Sequence, residues 1–327
     1  MAIANAGIWR FCLVALAIFC CPCRLPAESF TQVFDFAPAN PLVQRNRLAL
    51  LGTLRLNIEA PDGKPLHGLS GLVWLPRTKL LYAVSDQGYL VWLKPVFEGS
   101  YLRDVEFIGR FVLQDAEGQP LVGRARDAEG LAVFKAGEAT IELLISFEQQ
   151  ARIVRYSPEG QFLGEVPLPE LLKTRLKTAH SNGGLEGLAW WNNGFISGLE
   201  FPSRKTPNTL ELVAQSGHVW RYLAAEPGGA LVSLDTTRDG QLFTLERRYR
   251  SPWKPLIISL RKINLASEMP HVTELANFSS AEGWAVDNFE AVAWHSKNRF
   301  FLLSDDNTHP LQKTLLIHLA LPAWRVD

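Results

Sequence analysis

Three glutamates open apolar runs of the same form: Glu129-Gly130-Leu131-Ala132-Val133, Glu186-Gly187-Leu188-Ala189-Trp190 and Glu290-Ala291-Val292-Ala293-Trp294. Ser70-Gly71-Leu72-Val73-Trp74 and, more weakly, Gly229-Ala230-Leu231-Val232-Ser233 have the same phase. After each run come a turn and a second apolar run that ends in acid: Asp86, Glu148, Glu200, Glu246 and the pair Asp305-Asp306. Strands tolerate Asp and Glu poorly, and carboxylates crowded together raise one another's pKa or recruit a cation. Ligands that are all oxygen suit a hard ion such as Ca²⁺. The expected metal ligands are therefore Glu129, Glu186, Glu290, Asp305 and Asp306, with Ca²⁺ as the cofactor. The competing reading has the same carboxylates bonded to backbone amides and neighbouring arginines, as structural ion pairs commonly are.

Basic and imidazole groups stand close to these acids in the chain. Arg126 precedes one first run, and Arg247 and Arg248 follow Glu246, so these three are the candidates for holding a substrate oxyanion. His67 and His180 lie in segments entering first runs, and His309 follows Asp305-Asp306. His180, His309 and Glu186 are the candidates for proton transfer. His295, at the far end of a first run, belongs on the opposite face. Gly183-Gly184 could form an anion nest, but no P-loop or dinucleotide pattern accompanies it, and there is no Gly-x-Ser-x-Gly elbow.

Residues this far apart in sequence need a scaffold that brings them together. The runs begin at 70, 129, 186, about 229 and 290, a spacing near 40–60 residues, with about four strands in most units and almost no helical signal beyond 170–178. That pattern predicts an all-β chain folded as a β-propeller, with five blades visible and room for a sixth in 95–125 or 200–225. A β-sandwich or two small β domains is the alternative, and no Pro/Gly/Ser-rich linker divides the chain to favour it. The run from Leu48 to Ile58 has no unit of its own, so it is expected to complete the last blade and close the ring. In such a ring the first strand leaves one face and the second returns to it. Both sets of acids should then share one mouth, with Trp74, Trp190 and Trp294 packing between blades.

The chain has 327 residues, 47% apolar, with 33 basic and 33 acidic side chains. That composition excludes disorder, and zero net charge argues against a nucleic-acid partner. Arg10 before the apolar run 11–19, then Leu25-Pro26-Ala27, has the form of a secretory signal peptide cleaved after Ala27. The run is shorter than the ~20 residues a membrane span needs, so no membrane span is expected. All 4 cysteines (Cys12, Cys20, Cys21, Cys23) lie in that segment, so the mature chain has no disulfide, thiolate metal site or cysteine nucleophile. Phe19 before Cys20 fits a lipidation site poorly. The expected organisation is a signal peptide over 1–27, an N-terminal extension over 28–44 and one domain over 45–327, exported to the periplasm or secreted, and monomeric.

Three stretches at the C-terminal end are specific: Asn288-Phe289-Glu290-Ala291-Val292-Ala293-Trp294, Leu302-Leu303-Ser304-Asp305-Asp306-Asn307 and Pro310-Leu311-Gln312-Lys313-Thr314. With Leu245-Glu246-Arg247 and Asp127-Ala128-Glu129-Gly130-Leu131, they resemble the phytase-like domain family, described as "esterase-like activity of phytase". The resemblance covers about 68–320 and implies an exported β-propeller that hydrolyses phosphate or other esters. The long Asp-rich stretches of alkaline propeller phytases, which bind several Ca²⁺ ions, are not evident here. The expected function is Ca²⁺-assisted hydrolysis of a small ester or phosphoester. The alternatives are a non-catalytic propeller binding a ligand or protein in the envelope, and a lactonase-like propeller hydrolase with one central cation.

Overall fold

A computed structural model describes residues 29–39, 48–136, 140–178 and 183–322. The expected signal peptide and the candidate His180 lie outside the described residues. Among the described residues, twenty-one strands form five antiparallel sheets. Blade one is β3 (Leu69–Leu75), β4 (Leu80–Ser85), β5 (Tyr89–Glu98) and β6 (Tyr101–Val112). Blade two is β7 (Ala128–Ala136), β8 (Thr140–Phe147), β9 (Arg152–Tyr156) and β10 (Phe162–Val166). Blade three is β11 (Leu185–Trp191), β12 (Gly194–Leu199), β13 (Thr209–Ala214) and β14 (Val219–Leu223). Blade four is β15 (Ala230–Thr236), β16 (Leu242–Arg248), β17 (Ile257–Asn264) and β18 (His271–Ser279). The architecture is a five-bladed β-propeller, and 95–125 and 200–225 belong to blades one to three rather than to a sixth blade.

The fifth blade closes the ring with both ends of the chain. Its inner strands are β19 (Asn288–Ser296), β20 (Arg299–Asp305) and β21 (Leu315–Ala320). Beside β21 lies β2 (Ala49–Leu56), and β1 (Thr31–Val33) pairs outside it. The expected role of Leu48 to Ile58 is therefore what the fold uses, and Phe36, 1% exposed, anchors the segment before it. α1 (Glu170–Thr178) sits in the connection from blade two to blade three, on the mouth face. No helix of the described residues is long and apolar enough to cross a membrane.

The strands form because their apolar residues meet the neighbouring blade on both faces. Each gap between blades holds one apolar layer. Phe243, Phe278, Phe289 and Phe300 fill the gap between blades four and five. Trp74 leans on Phe301 of blade five, and Trp190 meets Phe134 of blade two edge-on, so these two expected inter-blade tryptophans do pack there. His295, at the far end of β19, packs with His318, Trp74 and Phe97, away from the mouth.

One irregularity recurs in every blade. The pairing of first with second strand slips at Leu69/Gly71, Ala128/Leu131, Leu185/Gly187, Leu231/Ser233 and Phe289/Ala291. The residues left unpaired are Ser70, Glu129 with Gly130, Glu186, Val232 and Glu290. A bulge bends the strand and re-aims a side chain, and here it falls on the glutamate position of the repeat. The register also corrects the alignment of blade four: Val232, not Gly229, stands where the other blades carry Glu or Ser.

The glycines after Ser70 and Glu129 allow neighbouring inner strands to touch. A Cβ on Gly130 would lie 2.4 Å from Ser146 Oγ and 2.7 Å from the Glu186 carbonyl oxygen. A Cβ on Gly71 would lie 2.5 Å from the Glu129 carbonyl oxygen. Gly130→Ala should therefore force blades two and three apart and destabilise by about 1–3 kcal/mol, the usual range for overpacking. Thermal unfolding checks this, with Gly194→Ala as control, because Gly194 has no positive φ and a Cβ there would meet only the Gln215 side chain, at 3.3 Å.

Candidate functional site

The bulges set an inner ring of polar side chains at the mouth, Ser70, Glu129, Glu186 and Glu290, while Val232 at the blade-four bulge packs into the apolar layer between blades four and five. An outer ring comes from the residue at or just past the end of each second strand. Its members are fixed by backbone pairing with the residue two positions before the first strand's bulge. The Asp86 N–H donates to the Gly68 carbonyl at 2.9 Å, Glu148 to Asp127 at 2.9 Å and Glu200 to Gly184 at 3.3 Å. Arg247 pairs with Ala230, and Asp305 with Asn288. The outer ring is thus Asp86, Glu148, Glu200, Arg247 and Asp305. Four blades supply an acid and the fourth blade supplies a guanidinium.

Glu246, expected among the mouth acids, is turned away from them. It accepts from Arg261 Nη1 at 3.0 and 3.2 Å and from the Ala225 N–H at 2.7 Å, against blade three. A step of one residue along a strand reverses the face, so Arg247 points into the mouth and Arg248 does not. Arg248 lies 3.9 Å from Glu226 in the loop after β14.

Arg247 is committed to three partners. Its Nη1 donates to Glu290 Oε1 at 2.6 Å and to Asn288 Oδ1, and its Nη2 donates to Glu200 Oε1 at 3.1 Å. Asn288 Nδ2 also donates to Glu290 Oε1 at 2.7 Å. Glu290 is therefore held by the guanidinium and an amide, as the ion-pair reading expected. Arg126 is exposed and close enough to Asp86 to favour its charge, though burial pushes the Asp86 carboxyl up overall.

Among the described residues, Asp127, Glu129, Glu148, Glu186 and Asp305 make no ion pair with a basic side chain. Asp127, Glu129 and Glu148 each bring a carboxylate oxygen within 4.8 Å of the others, and so do Glu148, Glu186 and Glu200. Glu148 belongs to both groups. Asp127 Oδ2 and Asp305 Oδ1 are buried without a hydrogen-bond partner. Burial, then Glu186 and Glu290, pushes the Glu129 carboxyl well above the usual range; burial, then Glu200, Glu290 and Glu148, does the same to Glu186. Burial and Asp127 raise Glu148 to about 7. Burial raises Glu200 to about 7 even though Arg247 opposes it. Burial and Glu290 raise Asp305 to about 8. These shifts share a cause: carboxylates removed from water and facing one another. Either protons or a cation must neutralise them. The donor set, all oxygen, fits a hard cation.

Of the five residues expected as ligands, Glu129 and Glu186 stand in the two groups, joined by Asp127, Glu148 and Glu200. Asp306 is placed elsewhere. Its Oδ2 lies 2.6 Å from His67 Nδ1, and its Oδ1 accepts from the N–H of Gly68 at 3.4 Å and of Thr308 at 3.2 Å. Asp306 is 2% exposed and His67 24%, a buried carboxylate orienting a reachable imidazole. Tyr89 Oη fixes the same loop, donating to the His67 carbonyl at 2.7 Å. His309 is exposed, and its Nδ1 accepts from the Leu311 N–H at 3.3 Å. The sequence shows His67 only as a residue entering β3; its link to Asp306 joins the neighbouring blades one and five across 239 positions of chain.

A family model described as "Phytase-like: Esterase-like activity of phytase" matches residues 64–308. No curated protein matches the chain. Three solved structures share 11–12% identity with it. Virginiamycin B lyase from Staphylococcus aureus covers 84% of this chain and 99% of its own, with a TM-score of 0.39. An endo-arabinase from Bacteroides thetaiotaomicron covers 80% and 96%, at 0.47. A streptogramin B lyase covers 84% and 97%, at 0.40. At such scores they carry nothing over to the chemistry of this site. The family match covers more than half of the chain and spans both rings apart from the termini: the protein belongs to the phytase-like family.

Proposed function

We propose that this protein is an exported, Ca²⁺-assisted hydrolase of a small ester or phosphoester, working at the carboxylate-lined mouth. The observation that carries the reading is the pair of carboxylate groups sharing Glu148, in a ring whose buried guanidinium, Arg247, is already taken by Glu200 and Glu290. Asp127, Glu129, Glu148, Glu186 and Glu200 would hold the cation. When bound, a hard cation polarises the ester oxygen and makes a water more acidic.

The chain's own groups would handle the proton and the developing charge. Asp306 holds His67 Nδ1, which leaves Nε2 to take a proton from the attacking water. The new O–C or O–P bond forms as the ester bond breaks, and the leaving oxygen takes that proton back from Nε2. Arg126, exposed beside Asp86, is the arginine available to an oxyanion, since Arg247 is saturated.

Two outcomes test the reading. The first is pH dependence without metal. A carboxyl whose folded pKa lies above its unfolded value contributes stability at low pH and loses it as pH rises through the folded pKa. Glu148 and Glu200 (about 7) and Asp305 (about 8) place that loss between roughly pH 4.5 and 8.5. In EDTA the thermal midpoint should fall across this window, each unit of displacement corresponding to about 1.4 kcal/mol. The fall should be shallower in Glu148→Gln. A midpoint that stays level or rises from pH 5 to 8.5 contradicts the assignment.

The second is metal dependence. At pH 8, Ca²⁺ at about 100 times its Kd should add about 2.7 kcal/mol of stability. Turnover of p-nitrophenyl phosphate or p-nitrophenyl acetate should require it and fall at least about 100-fold in His67→Ala, the usual scale of a lost acid–base group. Stabilisation without turnover of any ester would identify a cation-dependent binding protein instead. No stabilisation would leave the carboxylates neutralised by protons and Arg247.

A further inference from the structure

Beside the mouth, α1, β13 and the segment 201–205 line a cavity of about 320 Å³. It adjoins the carboxylate ring through the chain itself. Leu199, in its wall, precedes Glu200, and Gly183 precedes Gly184, whose missing Cβ would lie 2.3 Å from Glu148 Cγ. The floor is apolar: Leu172 is 1% exposed and Val213 2%, and the Phe201 ring stands at the rim, 39% exposed. The polar groups within it are already matched. Glu211 accepts from Arg221 Nε at 2.8 Å and pairs with Arg175 Nε at 2.9 Å, so its charge is covered from two sides. Arg204 and Lys205, also lining the cavity, are exposed and have no ion pair among the described residues. The cavity therefore presents an apolar floor, one aromatic face and a net positive rim, beside a mouth of the opposite sign. Its size falls at the lower end of small-molecule sites, about 300–1,000 Å³.

We propose that this cavity binds an aromatic ring bearing an anionic group. On the hydrolase reading above, on which the word substrate rests, it holds the non-reacting part of the substrate. The anion would sit at Arg204 and Lys205 and the ring against Phe201 and Leu172. This places the negative charge of the ligand away from the carboxylates and leaves the bond to be cleaved toward Glu200 and Glu148. An anion directed into the mouth instead would meet Glu148, Glu186 and Glu200.

The test measures ligand binding by fluorescence titration in EDTA, so that the cation site takes no part. The probes are 2-naphthoate and its neutral counterpart 2-naphthol. Wild type should bind naphthoate about tenfold or more tighter than naphthol, the worth of ~1.4 kcal/mol from the cationic rim. The Arg204→Ser/Lys205→Ser double variant should lose that preference while keeping its affinity for naphthol. Both positions are exposed, so its thermal midpoint should match wild type. Phe201→Ala should weaken both probes. Equal affinity for the two probes in wild type, or a preference unchanged in the double variant, would overturn the proposal. Esters of 2-naphthol with and without a 6-carboxylate separate this inference from the hydrolase reading. A lower KM for the charged ester, lost in the double variant, ties the cavity to turnover. If neither ester is cleaved, the hydrolase reading falls, and the naphthoate titration still decides the cavity.

Discussion

Mutual repulsion among carboxylates withdrawn from water is the constraint on which this structure turns. Asp86, Asp127, Glu129, Glu148, Glu186, Glu200, Glu290 and Asp305 converge at one mouth, and Arg247 is the guanidinium buried among them. Unpaired charges at such a site cost several kcal/mol each, so the arrangement needs a compensating charge in order to exist at neutral pH. Arg247 pairs directly with Glu200 and Glu290 and reaches Glu186 only through space. On the side of the mouth built by blades two and three, Asp127, Glu129, Glu148 and Glu186 meet with no ion pair among the described residues, and there the carboxyls of Glu129, Glu148 and Glu186 are pushed up.

The fold supplies this crowding by repetition. One bulge per blade falls on the same repeat position at the mouth, and in blades one and two a glycine beside it lets the inner strands close to contact. The apolar layers between blades, such as the four phenylalanines between blades four and five, hold the ring against the repulsion at its centre. Closure by β2 against β21 makes the ring continuous, so no blade can swing outward to relieve it. The stable periphery thus permits an electrostatically strained centre, a distribution common to functional sites.

Much of this was legible in the sequence because the repeat is carried by identical local patterns. The phase of Glu129, Glu186 and Glu290 placed three acids in one ring, and the unassigned run at Leu48 to Ile58 indicated how the ring closes. Blade four was misread because its pattern is degenerate. Gly229 aligns with the glutamates in the sequence pattern, but the bulge falls on Val232, and Arg247 rather than Glu246 holds the mouth position. A one-residue shift along a strand exchanges its faces, so this small misalignment exchanged an acid for a base at the site. His67 could not be preferred over His309 from sequence, because its significance comes from Asp306, 239 positions away in the chain. The cavity beside α1 had no sequence signal either, since its walls come from a helix, a loop and a third strand that share no motif.

The central claim is that a hard cation, rather than protons, completes the mouth at neutral pH. A crystal structure of the protein grown with Ca²⁺ at pH 8 tests it most directly. The account predicts an anomalous peak with oxygens of Glu148 and at least two of Asp127, Glu129, Glu186 and Glu200 at about 2.3–2.6 Å, the usual Ca²⁺–oxygen range. Carboxyl oxygens paired at hydrogen-bonding distance, with no peak between them, would contradict it.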